Sequence, residues 1–326
     1  MRNRKIGAHG PEVGVVGLGC MGMTYAYDMG SARDDETSIS VIRMAIDNGM
    51  TLIDTADMYG PFDNEEIVGR ALRDGWRDRA IVATKVGYVV VPGSKTASNA
   101  YGEVVRNGRP EHIRRSIDGS LQRLGTDHVD LYQLHRVDPE VPIEESWGAL
   151  AECVAAGKAR HIGLSEVSVD QIRRAHAIHP VASVQSELSL WTRDALAEVV
   201  PFCETNGIGF LPFSPLGRGF LAGRFASFDD LPADDFRRSL PRFQQDALRV
   251  NLAIVGAVRS VADRLGVTPA QVAIAWTIAQ GRYVVPIPGT KTPSYLLDNA
   301  ASADVLLTPE TLAELDAIQP PVGTRY

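Results

Sequence analysis

Cysteine is scarce: Cys20, Cys153 and Cys203 are the only three in a chain of 326 residues. Odd in number and widely spaced, they supply neither a disulfide framework nor a CxxC pair for zinc or redox work, and they fit free thiols in a reducing cytoplasm. No apolar run is long enough to span a bilayer. The opening Met1-Arg-Asn-Arg-Lys-Ile-Gly7 has charges but no apolar stretch of a signal peptide,. A cytoplasmic protein without a membrane partner is therefore expected. An excess of basic charge is missing too. Lys and Arg number 33 against 40 Asp and Glu, a net charge of −7, which argues against a general nucleic-acid partner. No ligand cluster of the H-E-x-x-H kind is present, so no metal is expected.

What the chain does have is a large apolar share, 44% hydrophobic against 22% charged, enough for a sizeable core. It is organised around Thr51-Leu-Ile-Asp-Thr-Ala-Asp-Met-Tyr-Gly60. A β-branched run closing on Asp54 reads as a buried strand whose last inward side chain is polar, with Tyr59 on the loop beyond it. Taken singly, Asp54 reads equally well as a turn cap and Tyr59 as cover for the core edge. Two further runs change the weighing. Ala80 to Lys85 stops on a lysine, and Val129 to His135 stops on a histidine followed by Arg136. Lys and His are poor choices for burial unless paired. If these strands are parallel neighbours, an acid, a lysine, a histidine and a tyrosine converge at their ends.

The rest of the chain repeats one pattern. A small hairpin is expected from Arg4 to Val13, then a strand from Val13 to Gly19 and a helix from Thr37 to Asn48. Strands to Asp54, Lys85, His135, Leu164, Ser186, Phe213 and Ile287 alternate with helices near 64–72, 110–124, 143–156, 169–178 and 194–206. Helices near 243–265, 269–280, 293–301 and 308–318 close the chain. Pro110 sits where a helix begins, and Ile113, Ile117, Leu121 and Leu124 form a stripe ending at Gly125,. Two long polar stretches interrupt the rhythm, Gly87 to Arg109 and Ser214 to Pro241, and loops of that length are usually functional or disordered. Eight strands alternating with helices, without a linker, is the pattern of an α/β (β/α)8 TIM barrel, one domain over 1–326.

One motif competes. Gly17-Leu-Gly-Cys-Met-Gly22 satisfies G-x-G-x-x-G after a strand, as in a dinucleotide-binding Rossmann unit,. Met23 to Ser31 shows no apolar helical stripe, however, and the first convincing helix begins about fifteen residues too late. The alternative is a strand-end loop lining a pocket, with Met21 and Met23 as adaptable apolar contacts.

The strand ends, in order, resemble the aldo-keto reductase family over essentially the whole chain. The resemblance rests on Asp54-Thr-Ala-Asp-Met-Tyr59, Thr84-Lys85, Gln133-Leu-His135-Arg-Val-Asp-Pro139, Gly163-Leu-Ser165, Val184-Gln185, Phe213-Ser-Pro-Leu-Gly-Arg-Gly-Phe-Leu221 and Pro288-Gly-Thr-Lys291 with Asp298-Asn299. The His-Arg-Val-Asp-Pro form is similar to perakine-reductase-like and bacterial members. The resemblance implies an NADPH-dependent oxidoreductase that reduces a small-molecule aldehyde or ketone. Tyr59 would be the general acid, Lys85 paired with Asp54 would tune it, and His135 would orient the carbonyl. Physical chemistry supports these roles: a free tyrosine titrates near 10. An ammonium about 4 Å away is worth roughly 4 kcal/mol at an effective dielectric of about 20, up to about three pKa units.

By the same resemblance NADP(H) lies across the barrel mouth. Gly22 and Met23 would border it, Ser165 and Gln185 would bond the carboxamide, and Phe213 would stack on the ring. Ser214, Leu216, Gly217 and Arg218 would line the pyrophosphate. Gly289, Thr290 and Lys291 would hold the 2′-phosphate, with Asp298 and Asn299 at the adenine. Glu166 replaces the asparagine of many relatives, and Ser294 and Tyr295 stand where many place a second cation. Substrate contacts are expected from Met21, Tyr25, Tyr88, Arg136 and Trp191, and substrate choice from variable loops at Met21 to Tyr27, Val89 to Gly108 and 216–241. A different class also fits, an NADPH-binding regulatory barrel subunit with little turnover. Monomer and homo-oligomer are both open.

Overall fold

The structure, a computed structural model, describes residues 1–25, 33–91, 103–233 and 235–326. It begins with an antiparallel hairpin of β1 (Asn3–Lys5) and β2 (Glu12–Gly14), which puts Ile6 and Val13 into the floor of a barrel. There follow in chain order β3 (Leu18–Gly19), β4 (Leu52–Asp54), β5 (Ile81–Val86), a second hairpin of β6 (Tyr88–Val91) and β7 (Glu103–Arg106), then β8 (Val129–Leu134), β9 (Ala159–Ser165), β10 (Ser183–Glu187) and β11 (Gly209–Phe213). All but the hairpin strands lie side by side, parallel and in chain order. Helices α1 (Asp35–Asp47), α2 (Asp63–Ala71), α3 (Pro110–Leu124), α4 (Ile143–Ala155), α5 (Val169–His176) and α6 (Val199–Thr205) lead from one barrel strand to the next. Then α7 (Gln245–Leu265), α8 (Pro269–Ile278), α9 (Pro293–Ala301) and α10 (Pro309–Asp316) complete the outer layer. Among the described residues no helix is long and apolar enough to cross a membrane.

The eighth stave, expected as a strand from Tyr283 to Ile287, is irregular, and proline is the reason. Val285 and Ile287 donate to Phe210 and Pro212 of β11, so that side of the ladder forms. On the other side Gly17 and Gly19 donate to the carbonyls of Pro286 and Pro288, but neither proline has an N–H to return,. The stave still closes the barrel, and closure explains the glycines. A Cβ on Gly19 would lie 2.9 Å from the Ile287 carbonyl oxygen, and one on Gly17 would crowd Leu52. Beyond them, among the described residues, comes a single 3-10 turn, Met21–Met23, and no helix before α1 opens at Asp35. The G-x-G-x-x-G run is thus a barrel seam, and the Rossmann alternative falls.

Two other segments differ from the sequence reading. The expected helix at 194–206 is split into a 3-10 turn, Asp194–Leu196, and α6, whose third residue is Pro201. The stretch from Gly87 to Arg109 is partly a hairpin, with Val89 opposite Val105. The parts of the expected substrate loops at 26–27, 92–102 and 234 lie outside the described residues.

Helix packing supplies a stability test. A Cβ on Gly69 of α2 would lie 2.4 Å from the Arg123 carbonyl oxygen and 2.9 Å from Leu124 backbone atoms at the end of α3. Alanine suits a helix better than glycine by about 1 kcal/mol, but backbone cannot swing aside as a side chain can. Gly69→Ala is expected to destabilise the protein by roughly 1–3 kcal/mol, the usual range for overpacking, read as a lower urea midpoint.

Candidate active site

Inward-facing residues run in columns up the barrel. Leu52, Ala83, Leu131 and Leu211 fill its interior with the floor residues. Two residues further along each strand, on the same face, stand Asp54, Lys85, Gln133 and Phe213. Lys85 is opposite Gln133, and Gln185 of β10 is opposite Leu211. An apolar layer therefore gives way to a polar one at the C-terminal ends of the strands.

Lys85 is fully buried, and its three donors are all used,. Nζ donates to Asp54 Oδ1 at 2.5 Å, to the Thr55 carbonyl at 2.8 Å and to Tyr59 Oη at 3.2 Å. Asp54 Oδ2 accepts from Gln185 Nε2 at 2.8 Å and from Gln133 Nε2 at 3.3 Å. Burial works against the Lys85 charge, yet the Asp54 carboxylate and the Tyr59 phenol outweigh it, and the ammonium ends above its ordinary range. For Tyr59 burial comes first and raises the phenol above its ordinary value, while Lys85 pulls it back. Desolvation outruns the ammonium, and the phenol keeps its proton at neutral pH. His135 is held well below its usual value by burial, then by the cations of Lys85 and Arg136, so it is neutral. Its ring meets Tyr59 and Tyr88 edge-on at 5.7 and 4.9 Å, with Nδ1 buried and without a hydrogen-bond partner among the described residues.

A cavity of about 1210 Å³ opens over this layer, larger than the roughly 300–1,000 Å³ of ordinary small-ligand pockets. Met21, Tyr25, Tyr88 and Val104 pack on Ala56, Met58 and Tyr59 to form an apolar rim at the near end. The cavity wall also holds Gly22, Arg136, Ser165, Gln185, Phe213, Ser214, Leu216 and Arg218. At the far end it holds Gly289, Thr290, Lys291, Asp298 and Asn299. Ser165 Oγ accepts from Arg136 Nη1 at 3.0 Å. Both Asp298 oxygens accept from Thr268 Oγ1 at 3.0 Å, and Gln271 donates to Oδ1, which ties the wall to the start of α8. Glu166, Ser214 and Arg218, beyond β9 and β11, adopt left-handed backbone with φ of 54°, 50° and 61°. Such strain in non-glycine residues concentrates at functional sites.

Three expected contacts are placed elsewhere. Trp191 is 3% exposed and packs on Phe220 and Phe243, with ring centres at 3.9 and 5.4 Å, so it backs the wall from inside instead of facing substrate. Met23 turns into the core. Gly217 spends its N–H on the Ser214 carbonyl within a turn and lies against Leu221 and Trp191, off the cavity wall.

Other participants had no role in the sequence reading. Gln133 joins Asp54 to Gln185, and its only signal was an amide at an inward position of an apolar run. Arg325 Nε donates to Glu187 Oε2 at 2.7 Å, Nη1 lies 2.8 Å from Glu166 Oε2, and the guanidinium rests 5.5 Å over the Phe213 ring. The carboxylate that replaces asparagine at 166 thus has a partner of its own, and Tyr326 beside Arg325 joins the cavity wall.

Comparison with known proteins agrees with this architecture. The sequence model described as the Aldo/keto reductase family matches residues 15–320. The glycerol dehydrogenase AKR11B4 from Gluconobacter oxydans is 30% identical, with a TM-score of 0.86 over 96% of this chain and 94% of that one. An aldo/keto reductase from Klebsiella pneumoniae in complex with NADP and acetate is 27% identical, with a TM-score of 0.72 over 100% and 98%. A Klebsiella pneumoniae aldo-keto reductase in complex with NADPH is 27% identical, with a TM-score of 0.73 over 98% and 96%.

Proposed function

The chain belongs to the aldo/keto reductase family, and from that premise we propose that it is an NADPH-dependent reductase of aldehydes or ketones with Tyr59 as proton donor. One observation carries the reading: Lys85 Nζ, held by Asp54, stands 3.2 Å from Tyr59 Oη beneath a cavity of about 1210 Å³. The donor set fits the cofactor. Gln185, Ser165 and Phe213 would hold its nicotinamide end, Ser214, Leu216 and Arg218 its pyrophosphate, and Thr290 and Lys291 its 2′-phosphate, with Asp298 and Asn299 by the adenine. When bound, the reduced nicotinamide supplies the hydride.

The protein's own work is proton delivery and electrostatics. Tyr59, protonated at neutral pH, gives its proton to the developing alkoxide, and the Lys85 ammonium stabilises the phenolate left behind. Asp54, steadied by Gln133 and Gln185, keeps Lys85 charged and aimed. Neutral His135, edge-on to Tyr59, orients the carbonyl oxygen, and the rim of Met21, Tyr25 and Tyr88 excludes water from it. The test is loss of NADPH absorbance with 4-nitrobenzaldehyde, then with a panel including keto-sugars and pyridoxal. Turnover that depends on NADPH is expected. Tight NADPH binding with no turnover on any member would favour a regulatory barrel instead.

A further inference from the structure

The loop that carries Tyr59 holds a second acid, for which the reaction has no use. Asp57 stands between Asp54 and Tyr59 on the way from β4 to α2, and it is as deeply buried as Asp54. Its backbone ties the loop at both ends. The N–H donates to the Lys85 carbonyl at 3.3 Å, and the carbonyl accepts from the Phe62 N–H at 2.8 Å, where the chain turns left-handed with φ of 73° into α2. The side chain is less well provided. Oδ1 is buried and has no hydrogen-bond partner among the described residues, and the same holds for Oη of Tyr132 on β8.

Four elements bring titratable groups against Asp57: Glu65 from α2, Arg123 from α3, Lys85 from β5 and Tyr132 from β8. Both cations are committed. Arg123 Nε donates to Glu65 Oε2 at 2.7 Å, while Thr84 Oγ1 donates to Oε1 at 2.5 Å. Lys85 is held by Asp54. Burial, followed by the Asp57 carboxyl, raises the Tyr132 phenol well above its ordinary value, so it stays uncharged. A carboxylate at 57 would thus be a second buried anion beside Glu65 with no cation of its own, a costly arrangement. Burial first, then Glu65, pushes the Asp57 carboxyl well above its usual range, and Arg123, the Met58 N–H and Lys85 offset this only in part,.

We propose that Asp57 is kept as a neutral carboxylic acid behind the catalytic loop and that in this form it is a positioning residue for Tyr59. The inference rests on the reading of Tyr59 as proton donor. As an uncharged group, Asp57 leaves Glu65 and Arg123 as one closed ion pair and lets the loop keep its backbone bonds to Lys85 and Phe62. Loss of the proton would set two carboxylates against each other two residues from Tyr59.

Infrared spectroscopy reads that proton without turnover. The carbonyl stretch of a protonated carboxyl group is expected in the parent at neutral pH and should disappear in Asp57→Asn. No such band in the parent would overturn the assignment, as would a band that survives Asp57→Asn and is lost in Glu65→Gln. Thermal melting is the second readout. A carboxyl that holds its proton more tightly when folded loses stability as pH climbs from about 3.9 to its raised value, and asparagine escapes that loss. The melting point of Asp57→Asn minus that of the parent should therefore grow across this window and then level off; a flat or shrinking difference would overturn the neutral acid. Kinetics reads the positioning. Asp57→Ala is expected to lower kcat about tenfold, a fraction of an ångström in placement, with NADPH affinity within about twofold. Asp57→Asn, an uncharged group of the same shape, should recover most of that loss. Equal losses in the two variants would overturn the positioning role. A parent protein that turns over no carbonyl would overturn the Tyr59 reading and this role with it, whereas the infrared and melting results are independent of that failure.

Discussion

Tyr59→Phe is expected to reduce carbonyl turnover by at least about a thousandfold, within the range that a positioned general acid contributes, while NADPH affinity stays within a few-fold of the parent. The loss should appear in kcat. The ring is nine-tenths buried and packs against Tyr25 and His135, contacts that phenylalanine keeps. Lys85 loses one of three acceptors but retains Asp54 and the Thr55 carbonyl. The barrel should therefore fold, bind cofactor and lack only its proton source. Stopped-flow turnover beside a fluorescence titration with NADPH separates the two quantities. Near-normal kcat in this variant would remove Tyr59 from the mechanism.

Lys85→Met should be as damaging to rate and more damaging to the fold. At the 3.2 Å separation from Tyr59 Oη, a unit charge is worth roughly 5 kcal/mol at an effective dielectric of about 20, or between three and four decades. The thioether replaces that charge with nothing. It also leaves the Asp54 carboxylate buried with only the Gln133 and Gln185 amides, and an uncompensated buried charge typically costs about 3–5 kcal/mol. Asp54→Asn is gentler, because asparagine can still accept from Lys85 and a turned Gln185 amide can meet its NH2. The expected order of loss in kcat is Lys85→Met, then Asp54→Asn, and thermal midpoints should follow it. If Asp54→Asn proves the worse for rate at equal stability, the carboxylate acts on substrate directly.

Much of this site was legible because its residues violate their surroundings. Asp54, Lys85 and His135 each end an apolar run with a group that burial penalises, and the parallel order of the strands then brings those ends together. Gln133 was missed for the converse reason, since an uncharged amide inside Leu131 to Leu134 hardly disturbs the run. Trp191 was misplaced because its direction is set by the Ser189–Thr192 turn and by Phe220 and Phe243, far along the chain. No local period encodes that packing. Arg325 is 138 residues from Glu187, a pairing that only the folded barrel creates. The net proton affinity of Tyr59 was also beyond the sequence. A neighbouring lysine is visible there, but the depth of burial that outruns it is not.

The proline-edged stave has a consequence for how the molecule is made. On the side away from β4, Gly19 meets Gly289, and Arg4 fastens the floor to the carbonyls of Ile278, Gly281 and Val284. During synthesis β3 through β11 emerge first, as a sheet with two unpaired edges. At about 5–20 residues per second, the interval between residues 213 and 289 lasts roughly 4–15 s. Open edges of that kind invite pairing with other chains, and contacts between distant segments close slowly. Asp54, Lys85, Gln185 and Phe213 all exist on the ribosome during this interval, yet the ring that holds them in place is still open. Nascent chains are therefore most exposed to aggregation late in translation, after every strand of the polar layer has been made.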